Sequence, residues 1–365
     1  MTDKLPWLAL RSIPGVGLVL FQRLLRAFGT PAAVFQAFRG DLLSVRGMTP
    51  AMAQVITAFR DWPLVEAQVS RLKAQGAQLI TQDDPDFPRR LKEIPYPPPF
   101  LFVKGTLRPE DEAAVALVGT RTPSYYGLKA CRRLAGGLAA RGFTVVSGLA
   151  RGIDTAAHEG ALEKGGRTLA VLGCGLDVVY PTENKQLYEK IPAQGALLSE
   201  FPLGTPPEAK NFPVRNRLIS GLALAVVVVE AGVKSGTAIT VQYALDQGRE
   251  VMAVPGPIDS PTSFGPHNLI QQGAKLVREV EDILQEIPGA GTLGSPRATE
   301  AAAAAPLRPV VDDPVLPFIG SEPIQLEELV KASRLAPAEV LSRLTFLELQ
   351  GLVRELPGKC YVLEG

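Results

Sequence analysis

Two arginines flank an asparagine in the stretch FPVRNRLISG, which precedes the almost wholly apolar run LALAVVVVE. Arg215 and Arg217 each carry a planar guanidinium group that stays charged, suits phosphate and also stacks on bases. Asn216 between them could bond a base edge or cap the start of the following strand. We therefore expect a phosphate-bearing partner to bind where the chain enters this buried strand.

Glycines and small polar residues follow four of the apolar runs. Glycine lets the backbone approach a ligand, and helix N-termini supply N–H groups for anions. The segments SGLARGID and KSGTAIT place both features before a helix, although glycines are also common at strand ends because the chain must turn there. The expected binding residues are Gly119, Arg121, Ser147, Gly148, Arg151, Lys185, Arg215, Asn216, Arg217, Lys234, Ser235 and Gly236.

Catalytic motifs are not evident in the sequence. Neither VGTRTPSYYG nor LGCGLDVVYP has the G-x-G-x-x-G spacing of a dinucleotide site, and the P-loop pattern of nucleotide hydrolases is absent. Asp154 and His158 lie four residues apart on one predicted helix, but no serine or cysteine is placed to complete a triad. We expect both to have a structural or ligand-orienting role, assign no catalytic residue and predict that the protein is not an enzyme.

The composition indicates a soluble globular protein with two or three domains, since 46% of its 365 residues are apolar and 21% are charged. A formal net charge of +1 confines any nucleic-acid contact to a local patch. Three scattered cysteines and two histidines favour neither disulfides nor a metal site, and no cofactor is predicted. The lack of a long apolar stretch or a signal peptide predicts a cytoplasmic protein without a membrane span.

Runs rich in β-branched residues alternate with helical patterns between residues 70 and 287. This alternation predicts an α/β domain, an extended Rossmann-like doubly wound and mostly parallel sheet with helices on both faces. Ligands of such sheets bind at the carboxyl ends of the strands, near the point where the strand order reverses. The predicted strands are AVALVG, FTVVSG, RTLAVLG, GALLSE, LAVVVVE and REVMAVPG.

The two ends of the chain have other patterns. Residues 1–65 combine short helices with the glycine turns SIPGVG and LLSVRGMTP, which indicates a SAM-like, helix-hairpin-helix domain or a plain helical bundle. Residues 288–317, rich in Ala, Pro and Gly, are interpreted as a flexible linker. Residues 318–365 contain two helical patterns and a hairpin around Pro-Gly, which predicts a C-terminal winged-helix domain.

Several long motifs resemble those of the DNA-processing protein A (DprA, also called Smf) family. Examples are VVSGLARGIDTAAHEGAL, TLAVLGCGLDVVYPTENKQL and NFPVRNRLISGLALAVVVVEAGVKSGTAIT, and the resemblance spans residues 85–287. It implies a core that binds single-stranded DNA, protects incoming strands in natural transformation and loads the recombinase RecA, with no established catalysis. It further implies a homodimer through the core and DNA contacts at Arg121, Ser147, Arg151, Lys185, Arg215 and Arg217.

One residue departs from the family pattern, and two other functions remain open. Pro257 stands where the family tends to have Asn after PG. The SGT loop also resembles the phosphate loop of nucleoside-monophosphate phosphoribohydrolases, which would make the protein a nucleotide-processing enzyme. The winged helix could instead bind duplex DNA, but IQLEELVKASR and ELPGKCYVLEG are poorly basic, so we expect this domain to contact protein.

Overall fold

The computed structural model describes residues 4–233, 235–290, 313–320 and 323–363. Contacts divide these residues into two compact units. The first contains the residues up to 122 and from 131 to 290, and the second contains residues 123–130 and those described from 313 onward. None of the helices in these described ranges is long and apolar enough to cross a membrane.

Residues 4–74 form six short helices. The hydroxyls of Thr30 and Thr49 each accept an N–H of the following first turn, and a proline comes next in both cases, as is typical of helix starts. The expected glycine turns lie at Gly15 and Gly47, where φ is +88° and +96°. The helices are α1 (Leu5–Ser12), α2 (Leu18–Phe28), α3 (Pro31–Gln36), α4 (Arg39–Leu43), α5 (Pro50–Thr57) and α6 (Trp62–Ala74).

The part of the chain described between residues 77 and 276 builds a sheet of nine strands, which includes all six predicted strands. The strands β3 to β9 are parallel, and β1 and β2 extend one edge in antiparallel orientation. The strands are β1 (Ala77–Thr81), β2 (Phe100–Gly105), β3 (Ala114–Val118), β4 (Thr144–Ser147), β5 (Thr168–Val171), β6 (Gly195–Ser199), β7 (Ala225–Val228), β8 (Glu250–Ala253) and β9 (Lys275–Leu276).

Hydrophobic residues cover both faces of this sheet. Alternate strand residues enter two different apolar clusters, with Ala170 and Leu197 in one and Leu169 and Leu198 in the other. This arrangement confirms the predicted α/β fold class. The helices of this region are α7 (Arg89–Glu93), α8 (Tyr125–Ala140), α9 (Ile153–Glu163), α10 (Lys185–Gln194), α11 (Asn211–Leu222), α12 (Thr237–Asp246), α13 (Phe264–Gln271) and α14 (Val280–Gln285).

The strand order reverses beside β3. Across the sheet the order is β1-β2-β6-β5-β4-β3-β7-β8-β9, so the chain adds β4, β5 and β6 on one side of β3 and then returns to place β7 on the other. The loops that leave the carboxyl ends of β3 and β7 therefore diverge and leave a crevice between them.

The N-terminal helices share a hydrophobic core with the sheet. One cluster of buried apolar residues includes Trp7 and Phe21 from the helices together with Phe102 from β2. Lys4 reinforces this packing, because its ammonium group donates to the carbonyl of Leu79 at 3.0 Å and pairs with Asp84 at 2.7 Å. The helices thus lie in the same compact unit as the sheet.

The C-terminal unit contains the predicted helices and hairpin. The hairpin strands pair antiparallel around Pro357 and Gly358, and a short strand pairs with the second of them. Val315 is fully buried in the core of this unit, so the core begins inside the segment interpreted as linker, of which residues 291–312 lie outside the described residues. The elements are β10 (Ile324–Gln325), α15 (Leu326–Ser333), α16 (Pro337–Leu349), β11 (Val353–Leu356) and β12 (Cys360–Leu363).

Candidate nucleic-acid interface

A cavity of about 560 Å³ opens at the carboxyl ends of β3 and β7, where the strand order reverses. Parallel α/β sheets bind their ligands at this position. The loop after β3, the loop before α9, helix α11 and the first turn of α12 contribute its walls. Its glycine, polar, charged and aromatic lining residues include Gly119, Thr120, Arg121, Asp154, Tyr180, Phe212, Arg215, Asn216, Ser235, Gly236 and Thr237.

The arginine stretch forms helix α11 and not the entrance to a strand, which corrects the interpretation from sequence. Residues two apart on an α-helix are rotated by roughly 200° about the helix axis, so their side chains point to nearly opposite sides. Arg215 consequently lines the cavity, whereas Arg217 lines a different cleft and forms an ion pair with Glu200. Asn216 lines the cavity, and its side-chain oxygen accepts a hydrogen bond from Arg215 Nε at 3.2 Å.

Arg215 is the buried cation of the cavity, with 3% of its surface exposed. Its Nη1 donates to the carbonyl of Gly148 at 2.6 Å and also to the carbonyl of Val171. Burial lowers the pKa of the guanidinium group to about 10, while the nearby Asp154 carboxylate acts in the opposite direction. Arg215 therefore remains charged at neutral pH and is held in one orientation by backbone carbonyls.

Phe212 links this buried arginine to an exposed one. The Arg121 guanidinium lies 5.3 Å from the centre of the Phe212 ring, and that of Arg215 lies 5.8 Å away. Tyr180 packs against the same ring with a centroid separation of 5.6 Å and keeps 36% of its surface exposed. An aromatic ring close to two cations offers charge and a stacking surface to one ligand. Phe212 was not among the residues predicted from the sequence, although its i, i+3 spacing from Arg215 suits a shared helix face.

The expected backbone cradle for phosphate is already occupied by internal bonds. Asp154 accepts the N–H groups of Gly148 at 3.1 Å and of Ala150 at 3.2 Å. At α12, the N–H of Thr237 donates to the Ser235 hydroxyl at 3.2 Å, and the N–H of Ala238 donates to the Ser235 carbonyl at 3.1 Å. Anion binding in this cavity therefore depends on arginine side chains and hydroxyl groups more than on free backbone N–H groups.

The side chains of Asp154 and His158 bond other partners, so they do not act as a catalytic base and its orienting residue. Thr168 donates its hydroxyl proton to the Val145 carbonyl at 2.8 Å, so the His158 Nδ1–H must be the donor in the 2.7 Å contact with Thr168. Burial lowers the pKa of His158 to about 3, which keeps the ring neutral, and burial also raises the pKa of Asp154. Within the described ranges, no three His, Cys, Asp or Glu side chains are placed to hold a metal ion.

The remaining predicted residues divide into three groups. Gly119, Arg121, Ser235 and Gly236 line the cavity together with Arg215 and Asn216. Ser147 and Gly148 are buried behind it, and the Ser147 hydroxyl donates to the Leu117 carbonyl at 2.7 Å.

A third group lies away from the cavity or cannot be placed. The exposed Arg151 forms an ion pair with Glu183 at 2.7 Å, and the exposed Lys185 begins α10. Neither residue lines the cavity. Lys234 lies outside the described residues.

Gly119 illustrates why small residues occur at this edge of the sheet. A Cβ atom at this position would lie 2.6 Å from Ile153 Cγ1 and 2.7 Å from the Glu230 carbonyl oxygen. Thr120 next to it donates its N–H to that same carbonyl at 2.7 Å. The glycine thus allows the β3 and β7 loops to approach each other, which sets the position of Arg121.

Comparison with known proteins gives a consistent set of relatives. A family model described as DNA recombination-mediator protein A matches residues 78–288, and one described as the DprA winged helix domain matches residues 298–359. Protein Smf of Synechocystis sp. is 36% identical over 392 residues, which cover 99% of this chain and 98% of that protein.

Two solved structures are also similar. DNA processing protein A (DprA) from Streptococcus pneumoniae has a TM-score of 0.64 at 37% identity and covers 74% of this chain and 98% of its own. The protein from Helicobacter pylori, described for its single-stranded DNA binding mode, has a TM-score of 0.51 at 30% identity and covers 56% of this chain and 94% of its own. With these matches and the shared fold, the chain belongs to the DNA recombination-mediator protein A (DprA/Smf) family.

Proposed function

We propose that the protein binds single-stranded DNA in the cavity at the carboxyl ends of β3 and β7. The observation that carries the proposal is the proximity of the Phe212 ring to the guanidinium groups of both Arg121 and Arg215. Base stacking on an aromatic ring tolerates any sequence, and arginine charges neutralise phosphates without reading bases. The single-stranded DNA binding described for the H. pylori relative supports the same function.

The two arginines contribute to binding in different ways. Arg121 is exposed and can reach a backbone phosphate, whereas Arg215 is fixed by the carbonyls of Gly148 and Val171 and supplies a stationary positive potential. The hydroxyl groups of Ser235 and Thr237, bonded to each other at 2.8 Å, provide further polar contacts on the opposite wall. A strand therefore binds with its phosphates along the arginines and a base against Phe212.

We further propose a role in recombination that follows from this binding. The protein protects an incoming strand in the cytoplasm during natural transformation, loads RecA recombinase onto it, and acts as a homodimer through the Rossmann-like core without catalysing a reaction. The division into a SAM-like domain (1–65), a DNA-binding core (70–287), a linker (288–317) and a winged helix (318–365) belongs to the same proposal. Membership of the family supports these roles.

The test is fluorescence anisotropy with a labelled oligothymidylate and its duplex counterpart over several salt concentrations. We expect Arg121→Ala to weaken single-strand binding and to reduce the log–log salt slope by about 0.7, the value for one phosphate on a single strand. Arg89→Ala is the matched control, because its side chain is 85% exposed and lies outside the cavity lining.

Equal binding by wild type and Arg121→Ala would contradict this function. Absence of strand binding by both the wild type and Arg121→Ala would also contradict it, and would favour the alternative of a nucleotide-processing enzyme of the phosphoribohydrolase type. The small-residue turn of Ser235, Gly236 and Thr237 on the cavity wall motivates that alternative. Release of free base from a panel of nucleoside monophosphates would reveal such an activity.

A further inference from the structure

A second cleft of about 580 Å³ lies between the glycine turns of the N-terminal helices and helices α11 and α12. Gly15, Gly17 and Gly47 belong to the turns, Arg217 to α11 and Tyr243 to α12. The residues that line this cleft include none of those that line the strand-end cavity. The cleft is thus a separate binding volume on the other side of α11.

Arg217 supplies an incompletely bonded cation to this cleft. Its side chain is only 6% exposed, and one terminal nitrogen pairs with Glu200. Its Nε and Nη1 atoms are buried and have no hydrogen-bond partner among the described residues. Buried donors of this kind are costly unless a ligand or water completes them.

A second arginine, Arg11, lies near the ion pair of Arg217 and Glu200. Both Arg217 and Arg11 lie close enough to Glu200 to oppose the rise that burial causes in the pKa of its carboxyl group. Two guanidinium groups therefore lie near this one carboxylate, of which that of Arg217 is buried and that of Arg11 is exposed to solvent. Arg11 also donates to the Val16 carbonyl at 3.1 Å, so it lies against the same glycine turn that lines the cleft. An anion bound in the cleft would be attracted by both guanidinium groups.

The start of α2 adds backbone donors to the cleft. Gly17 is the N-cap of this eleven-residue helix and has no side chain to accept the first N–H groups. In the part of the chain that the structure describes, the N–H groups of Leu18, Val19 and Leu20 make no hydrogen bond. All three residues line the cleft. The start of α12 differs, because its first N–H groups are engaged internally.

The remaining walls suit a planar ring. Tyr96, which is 57% exposed, and Tyr243 line the cleft, together with the exposed side chains of Val19 and Val214. Among the described residues that line it, the one carboxylate is that of Asp246, which is exposed and accepts a hydrogen bond from Gln242 at 2.8 Å. Aromatic and apolar walls beside a cation and free N–H groups match a ligand that carries both a ring and an anionic group.

We propose that this cleft binds a nucleotide, with its phosphate near Arg217 and the start of α2 and its base against the tyrosines. The nucleotide is either a free mononucleotide or one unit of a DNA strand, since both present the same base and phosphate. The proposal goes beyond the strand-binding function, because it concerns different residues on the opposite side of α11.

The test is isothermal titration calorimetry of the full-length protein with thymidine monophosphate. The Arg121→Ala protein serves as the background, so that the strand-end cavity contributes less. Arg217→Ala would leave Glu200 buried without its ion pair, so the exposed Tyr96 is changed instead. We expect Tyr96→Ala to raise the dissociation constant about tenfold through lost stacking. Phe38→Ala, at a residue 82% exposed and outside the cleft lining, should leave it unchanged.

Thymidine and inorganic phosphate test the two halves of the ligand, and each should bind more weakly than thymidine monophosphate. A dissociation constant unaffected by Tyr96→Ala, or no binding of the nucleotide at all, would overturn the proposal. Titration with a long oligothymidylate then identifies the source. If Tyr96→Ala also weakens this binding in the otherwise native protein, the nucleotide is part of a strand, and if it does not, the nucleotide is free. Loss of strand binding in Arg121→Ala is read independently of these results.

Discussion

Replacing Phe212 with leucine should weaken strand binding without changing its salt dependence. The centre of the ring lies 5.3 Å from the Arg121 guanidinium and 5.8 Å from that of Arg215, and the side chain is only partly buried. Loss of base stacking costs about 1–3 kcal/mol, and loss of the ring's attraction for the exposed Arg121 costs about 0.5–1 kcal/mol at most. We expect the dissociation constant to rise roughly tenfold to a few hundredfold.

The salt slope distinguishes this change from the loss of an arginine. Phe212→Leu removes no charge, so the log–log slope should equal that of wild type, whereas Arg121→Ala should reduce it by about 0.7. Anisotropy with labelled oligothymidylate at four or more salt concentrations measures both quantities. Phe38→Leu is the control, since Phe38 is 82% exposed in the N-terminal helices.

Two results would refute the reasoning about Phe212. If Phe212→Leu binds as tightly as wild type, no base stacks on this ring. If its salt slope falls to that of Arg121→Ala, the ring acts by positioning Arg121 on a phosphate and not by stacking.

Three further predictions concern stability and the C-terminal unit. A Cβ atom on Gly148 would lie 2.6 Å from Arg215 Nη1, so Gly148→Ala should cost about 1–3 kcal/mol in thermal unfolding, whereas Gly236→Ala, with open space around its Cβ, should cost little. The pKa of His158 is lowered to about 3 in the folded protein, against about 6.5 in the unfolded chain. Between these two values only the unfolded state takes up the proton, so the free energy of unfolding decreases as the pH is lowered. Urea unfolding at pH 7 and pH 5 should show about 2 kcal/mol less pH sensitivity in His158→Gln than in wild type; equal sensitivity would mean that His158 titrates normally. Deletion of residues 310–365 should leave anisotropy with oligothymidylate largely unchanged, and loss of binding would assign the C-terminal unit a direct role in DNA contact.

The sheet could be predicted because its strands are nearly continuous apolar runs. A run such as AVALVG is buried on both faces, and only a central parallel strand needs that pattern. Glycines after these runs then located the cavity, since parallel strands bring their carboxyl ends to one edge. The winged helix could be predicted equally well, because its two helices and Pro-Gly hairpin are local features of the sequence.

The direction of individual side chains could not be predicted in the same way. Arg215 and Arg217 look equivalent in a linear stretch, and only the helical geometry of α11 sends them to different clefts. The N–H groups of Gly148 and Ala150 are not available to a ligand, because both donate to the Asp154 carboxylate on α9. This contact forms only in the folded chain and could not be predicted from the sequence. Phe212 could not be predicted from the sequence, because only the folded chain brings its ring within about 6 Å of two guanidinium groups.

The hydrophobic core shared by the N-terminal helices and the sheet affects how the protein can be divided. Trp7 and Phe21 lie in the same apolar cluster as Phe102, so a chain that began near residue 70 would expose that side of the cluster to water. The N-terminal helices and the part of the sheet that shares this cluster should therefore unfold together. Limited proteolysis that releases the N-terminal helices would leave an aggregation-prone remainder, and a DNA-binding core intended for separate study should retain them.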